Sequence, residues 1–297
     1  AQVDPAGYLT VYGYDAAGNR TAQVRCATAV AYTGQSLSAL QTAASVAGKD
    51  QYTFWSYDAL NRVTQTLNYQ GTLTTYAYNT TTGFLDSMTT ASGTSDARIT
   101  GYRYDDLGRV TNTLTGQGSA SFLSGNANAW NTDGSGTAYG NKTFYDLAGR
   151  KIQTIDANGH VTYFYYDQDS RLVYTVDGAG EVSQMVYDAF GEVTSTIQFA
   201  NRLASLSGLT GGLVPTATTG DAAFYAAVIN PTTAAAFQSD SRNRIVQYGY
   251  TDKRGLLTQK VDGRGFAVAN AYDAFGELIL RATDVGDTPY QTARFDQ

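Results

Sequence analysis

One cysteine, one histidine, four prolines and three glutamates are the scarcest useful residues in these 297 positions. The lone Cys26 excludes an internal disulfide framework and any multi-thiolate metal site. The lone His160 leaves most forms of a nucleophile-base-acid triad without a spare base. With so little proline and only 15% charged residues, neither a proline-rich linker nor a charge-driven disordered chain describes the sequence. Basic runs are missing too, and the net charge of −6 argues against a phosphate-backbone partner, so no nucleic acid is expected. No apolar run is long enough to make a membrane helix and no charged-apolar-small leader opens the chain, so neither a membrane span nor an export signal is expected within it.

The shortage of glutamate is the most informative. Of 26 acids, 23 are aspartate, and the exceptions are Glu181, Glu192 and Glu277. Aspartate bonds nearby backbone amides and favours turns, whereas glutamate favours helix interiors. Alongside stand 31 glycines and 23 tyrosines, which suit strands joined by tight turns.

These residues are arranged periodically. Copies of one motif read YDAAGNR from Tyr14, YDALNRV from Tyr57, YDDLGRV from Tyr104, YDLAGRK from Tyr145, YDQDSRL from Tyr166, YDAFGEV from Tyr187 and YDAFGEL from Tyr272, with decayed copies from Tyr78 and Tyr250. A second signature, D-x-x-G, lies about half a period upstream, at Asp4 before Asp15, Asp177 before Asp188 and Asp262 before Asp273, and Asp167 to Asp188 gives a period of 21. One period therefore holds two turns and two extended runs, a repeated β-hairpin. The aspartate is expected to accept from amides two or three residues on, and the glycine three positions after it to take positive φ, with Asn61 and Ser170 substituting in two copies. Aromatics two apart, such as Tyr12 and Tyr14, Trp55 and Tyr57, or Phe164 and Tyr166, share a strand face. Stacked hairpins would then carry aromatic rows, and the face of Tyr14, Tyr57 and Tyr104 is favoured as the packed one. Arg171 and Glu192, one period apart, are expected within salt-bridge reach.

Three insertions interrupt the period, at 27–50, 115–140 and 200–245. In the first, Ser36 can cap a short helix lined by Leu37, Leu40 and Ala44 and stopped by Gly48. The second reads as an irregular loop with Phe122 and Trp130 as anchors. In the third, Asp221 can cap one short helix and Pro231 open another, and Tyr187 to Tyr250 spans three whole periods, so the phase resumes afterwards. Helix is expected only over 36–47 and 220–240.

The nine copies resemble the YD repeats of bacterial rearrangement-hotspot (Rhs) proteins, of the shell-forming subunits of insecticidal Tc toxins and of animal teneurins. That resemblance implies a long antiparallel sheet spiralling into a hollow shell or barrel wall, often around a toxic segment of the same polypeptide, in a secreted or bacterial cell-surface protein. The insertion at Phe199, FANRL, looks like a spacer of very long members of the family. DPAGY at Asp4 echoes the family's aspartyl autoproteolysis element, but its spacing to Asp15 is that of an ordinary upstream turn.

The fold class expected is all-β, an antiparallel sheet of ~21-residue hairpins with short helical insertions, forming one array over 1–297. The function expected is a non-enzymatic scaffold, a shell or fibre segment with no catalytic, cofactor or metal residues. Its partners would be further repeats, end-to-end copies in a filament, or an enclosed toxin segment. Both ends stop inside the repeat, so the chain is expected to be an excerpt of a longer array or to self-associate. Chemical alternatives exist at His160, at a Cys26–His160 dyad, at the Asp167–Asp169 pair and at calcium-like loops DANG and DVGD, each with a plainer turn or packing role beside it. The alternative function is an adhesin-like module binding glycans or surface proteins through exposed aromatics, with Trp130 and Tyr102 as the residues to remove.

Overall fold

The computed structural model describes residues 1–114, 140–251, 254–283 and 291–294. The insertion at 115–140, with Phe122 and Trp130, and the DVGD loop thus fall outside the described residues, Gly140 excepted. The chain divides into two compact units, Ala1–Lys142 and Thr143–Gln297.

In the first unit the strands Tyr8–Tyr14, Arg20–Ala29, Gln51–Tyr57, Val63–Leu67, Leu73–Tyr78, Leu85–Thr90, Arg98–Tyr104 and Val110–Leu114 pair antiparallel, each with the next. In the second, Lys151–Ile155, Val161–Tyr166, Leu172–Val176, Glu181–Tyr187 and Val193–Arg202 do the same, and Arg244–Thr251, Leu256–Val261, Ala267–Tyr272 and Leu278–Thr283 continue the series. The all-β antiparallel hairpin array is thus the fold. Its one parallel pairing among the described residues is Tyr165 and Tyr166 with Gly212 and Leu213.

The turns obey one rule. Asp188 Oδ1 accepts from the amides of Phe190 (2.8 Å) and Glu192 (3.0 Å), and Asp15, Asp58, Asp105 and Asp177 do likewise. The second amide lies four residues on, not the expected three, because the chain has already turned back beside the carboxylate. The turn glycines take positive φ, as do Asn61 at 58° and Ser170 at 64° in the same slot.

The YD hairpins at Tyr14, Tyr57, Tyr78, Tyr104, Tyr166, Tyr187, Tyr250 and Tyr272 also carry a feature absent from the sequence reading. The register slips by one residue just before the tyrosine: Ser56 faces Gln65 but Tyr57 faces Val63, leaving Thr64 unopposed, and Val186 faces Ser195 but Tyr187 faces Val193, leaving Thr194. The D-x-x-G hairpins, such as Tyr174–Val176 against Val182–Gln184, pair without a slip. A bulge bends its strand and increases local twist, so each period adds the same increment.

Both described insertions replace the tip of a hairpin and leave the sheet in the same way. Arg20–Ala29 runs on until Val30 N–H donates to the carbonyl of Gly7 (2.8 Å), and Val193–Arg202 until Leu203 N–H donates to that of Gly180 (2.8 Å). At Gly180 a Cβ would lie 2.6 Å from the Leu203 carbonyl oxygen, on top of φ 80°, so this slot takes glycine for two reasons. The excursions proper are accordingly shorter than 27–50 and 200–245, because the strands extend to Ala29 and Arg202 and one resumes at Arg244. The first contains the helix Leu37–Ala44, with Ser36 Oγ accepting from Ala39 N–H (3.3 Å). It ends before Gly48, and Leu37 is exposed while Leu40 and Ala44 are buried. The second holds three short helical pieces, Ala222–Phe224, Tyr225–Ile229 and Ala235–Gln238. Pro231 lies in the turn before the last, not at its start.

The covered face is the one opposite the YD tyrosines, which corrects the expectation for Tyr14, Tyr57 and Tyr104. Leu9 and Cys26 pack on Leu40 and Ala44 in the first unit. In the second, Tyr163, Tyr165, Tyr174, Val176 and Val182 pack on Phe224 and Val228 of the excursion. The insertions supply the apolar cover, so the buried side is decided by where they fold. One buried aspartate fastens each cover. Asp50 accepts from Ala27 N–H (2.9 Å), Val46 N–H (3.0 Å) and the Ser45 hydroxyl. Asp221 makes no helix-capping bond and accepts instead from the Tyr165 hydroxyl (2.6 Å), Thr210 N–H (2.8 Å) and Thr210 Oγ1 (2.7 Å).

The turn rule has a clean test at Gly191, where an added side chain meets only Arg171 Cδ at 4.0 Å, so backbone strain alone decides the outcome. Gly191→Val should lower stability by ~1–2 kcal/mol and Gly191→Asn by clearly less. Equal urea midpoints for the two variants would contradict the positive-φ assignment.

Candidate functional site

The residues that define the motif converge on one edge of each unit, where successive YD turns lie side by side. The motif tyrosine is the first component. Its hydroxyl donates to a carbonyl in the preceding YD hairpin: Tyr57 to Arg20 (2.8 Å), Tyr78 to Val63 (2.8 Å), Tyr166 to Lys151 (2.8 Å), Tyr187 to Leu172 (2.8 Å), Tyr250 to Val193 (2.9 Å) and Tyr272 to Leu257 (2.8 Å). Where the register is resolved, each acceptor is the residue just before the unopposed bulge residue, as Val63 is before Thr64 and Leu172 before Val173. The hydroxyl thus reaches a carbonyl where the strand ladder is interrupted, and phenylalanine would leave that position unserved.

The motif arginine is the second component. Arg171 Nε donates to Asp167 Oδ2 of its own turn (2.7 Å), its guanidinium lies 5.3 Å from the Tyr187 ring centroid in the next copy, and Nη1 reaches the Asp188 carbonyl at 3.5 Å. Arg62 repeats this with Asp58 (2.8 Å), the Tyr78 ring (4.3 Å) and the Gly83 carbonyl (2.9 Å). Arg150 pairs with Asp146 and lies over Tyr166 at 5.3 Å. Each arginine therefore closes its own turn and covers the next tyrosine.

This arrangement corrects two expectations. Arg171 pairs with Asp167 and Asp169 rather than with Glu192, since four residues of turn bring its own aspartate nearer than the next copy's slot; its reach to Asp188 nonetheless keeps consecutive turns in register. The aromatic rows are built chiefly from rings alternating with cations, including Arg20 over Trp55 (4.8 Å) and Lys151 over Phe164 (4.5 Å). Neither the hydroxyl acceptor nor the bulge can be read from residue types. The repeated arginine after the turn was the available signal.

The electrostatics follow from the geometry. Asp58 is held below the usual carboxylate range by the Arg62 amide first and its guanidinium second. For Asp146 and Asp167 burial is the largest influence and opposes ionisation, but hydrogen bonds from Arg150 and Arg171 outweigh it and the net direction is down.

The residues with chemical potential have structural partners. His160 occupies the arginine slot of a D-x-x-G turn, with Nδ1 3.0 Å from Asp156 Oδ2, and is well exposed. Cys26 is fully buried rather than half-buried, and burial, then the charge of Asp50, pushes its thiol up. Asp167 and Asp169 share Arg171. Asp156 of the DANG loop accepts from the amides of Asn158 and His160. Asp4 of DPAGY accepts from those of Ala6 and Tyr8, the ordinary upstream turn.

Two measurements follow. Tyr187→Phe keeps the ring under Arg171 and removes the bond to Leu172 together with the longer contact to Met185 Sδ (3.4 Å), and should cost about 1 kcal/mol; Tyr14→Phe, at an exposed residue in the first copy, should be neutral by the same urea titration. The turn aspartates also fix an acid response. The folded pKa values of Asp58, Asp105, Asp146 and Asp167 are depressed, so their contribution is fully present above the unfolded value near ~4 and is lost as pH falls through the lower folded value. The urea midpoint should hold from neutrality to about pH 4 and drop below it, and the drop should be shallower in Asp58→Asn.

No family model and no curated protein sequence matches the chain. Among solved structures it is similar to the TcdB2-TccC3 complex with Cdc42, at 15% identity and a TM-score of 0.35, over 96% of this chain and 17% of that one. The Tc holotoxin pore of Photorhabdus luminescens gives 15% identity and 0.35, over 94% and 16%. A porin-like protein from Bacteroides uniformis gives 13% identity and 0.22, over 96% and 86%. The chain spans about a sixth of the length of the two Tc chains it resembles.

Proposed function

We propose that this chain is a modular structural wall: a non-enzymatic scaffold, one repeat array through 1–297, from a larger secreted or bacterial cell-surface protein. Its partners are further repeats of the same polypeptide, end-to-end copies, or a segment such as a toxin that the wall encloses or presents. The observation that carries this reading is the relay between copies, in which each tyrosine and arginine bonds the neighbouring hairpin as well as its own. An assembly held by nearest-neighbour bonds extends by whole units without a fixed end point. The side chains capable of chemistry support the same reading, since His160, Cys26, Asp167 and Asp169 serve turns or packing.

The turn tips add to it. Leu60, Leu107, Phe190 and Phe275 are exposed at equivalent positions two residues after the turn aspartate, and Leu147 one residue after its own, recurrent apolar tips that suit contact with another part of an assembly.

A wall of this kind tolerates insertion of a whole period and no fraction of one. Duplicating the full period 58–78 in tandem should give a folded protein with a native-like β circular dichroism spectrum and a melting temperature close to that of the parent. Duplicating only the half-period 58–68 adds a single strand, reverses the sense of everything after it and should abolish cooperative unfolding. Equal damage from both would contradict the modular reading, and turnover of any substrate by the parent chain would contradict the non-enzymatic one.

A further inference from the structure

At the step from Tyr78 to Tyr104 the relay loses both its guanidinium and its hydroxyl bond, and a cavity lies there. The copy at Tyr78 has Asn79 for the turn aspartate and one residue more, which puts Phe84 in the arginine slot and Asp86 in the bulge slot that Thr64 and Thr111 fill in neighbouring copies. In place of a guanidinium, the Phe84 ring leans on Tyr104 at 4.9 Å and 34°. Tyr104 makes no hydroxyl bond to a described residue, although six other YD tyrosines donate to the preceding hairpin. The bulge carboxylate of Asp86 accepts instead from Arg103 Nη1 at 2.7 Å, with both side chains nearly half exposed.

The result is a cavity of about 580 Å³ in the first unit, lined among others by Asn79, Phe84, Asp86, Tyr102, Arg103 and Asp106. Its volume lies in the range of small-ligand sites, which combine apolar walls with a few fixed polar groups. Three aromatic residues, Phe84, Tyr102 and Tyr104, line it, and an aromatic ring is the group on which the C–H face of a pyranose stacks. The Asp86–Arg103 pair holds acceptor and donors in fixed relation, as vicinal hydroxyls require, and Asn79 adds an amide.

The charges narrow the ligand. Asp86 is neutralised by Arg103 and Asp105 by Arg109, which leaves Asp106 as the lining carboxylate with no partner among the described residues. One uncompensated carboxylate disfavours phosphate, sulfate and acidic sugars, and it does not make the multi-carboxylate cage of a cation site. The geometry points to a binding site for a neutral saccharide of one or two rings, at the step where the repeat departs from its own rule. Regular copies spend that space on packing, and this copy leaves it open. The assignment names a place on the wall for recognition and does not depend on what the wall encloses.

Saturation-transfer NMR and calorimetry on the full chain, with maltose, lactose and diacetylchitobiose as neutral probes, sialyllactose as an acidic probe and trilysine as a cationic one, test this directly. At least one neutral disaccharide should bind, with its ring protons saturated from the protein aromatics. Tyr102→Ala and Asp106→Asn should each weaken it at least about tenfold. Asp106 is exposed and makes no bond that the fold uses, so Asp106→Asn keeps its melting temperature and remains decisive if Tyr102→Ala unfolds. Failure of all three neutral probes to bind would overturn the proposal, as would stronger binding of sialyllactose or trilysine, or neutral binding that survives Asp106→Asn unchanged.

Discussion

The hydrogen bond that six of the motif tyrosines make to a carbonyl of the preceding hairpin is the interaction on which the rest depends. A bulge is useful to a repeating sheet because it adds bend and twist once per period, and it has a cost, because it interrupts the ladder and leaves backbone groups short of partners. The phenol of the next copy supplies the missing donor at 2.8–2.9 Å. That single bond explains why the position is tyrosine, why it sits beside the bulge, and why the copies are stacked in one register. The arginine then follows: once a ring lies flat against the neighbouring turn, a guanidinium tied to that turn's own aspartate can cover it.

The same logic explains the acid composition. A side chain must reach its own amides two and four residues on while leaving Oδ2 for the arginine, and aspartate is short enough to do this without leaving the turn. In four copies the turn acid is therefore matched locally, by Arg62, Arg109, Arg150 and Arg171. Where the slot after the turn is Glu192 or Glu277, the match is absent and the turn keeps only its backbone bonds. Charge pairing reinforces the turn, and amide capture makes it.

Much of this architecture was legible in the sequence because periodicity survives without knowledge of contacts. The hairpin length, the positive-φ slot, the Ser36 cap and the resumption of phase at Tyr250 were all readable from residue types and spacing. The bulge was not, since Thr64 looks like any strand threonine and an unopposed residue is a property of two strands at once. Nor was the covered face, because Tyr165 and Tyr166 are the same residue type one position apart. Their fates separate only when Phe224 stacks on Tyr165 at 4.2 Å, and nothing before residue 200 announces that contact. Asp221 illustrates the same limit: a residue read as a helix cap is one, by position, yet its carboxylate is committed to Tyr165 and Thr210 across the core.

A repeat built this way also makes its own exceptions informative. In a protein without periodicity, Asn79, Phe84 and Asp86 would be three ordinary surface substitutions. Here each occupies a slot whose role is fixed by its equivalents: Asn79 where aspartate binds arginine, Phe84 where arginine covers tyrosine, Asp86 where threonine fills the bulge. Changing all three together replaces the guanidinium over Tyr104 with the Phe84 ring and adds an ion pair between Asp86 and Arg103. Random decay of one copy would be expected to loosen the sheet, yet Thr74–Tyr78 still pairs with its neighbour through the same bulge as the hairpins at Tyr57 and Tyr104. The strand pairing is retained while the surface above it is rebuilt, so the departure is confined to the side chains that link successive turns.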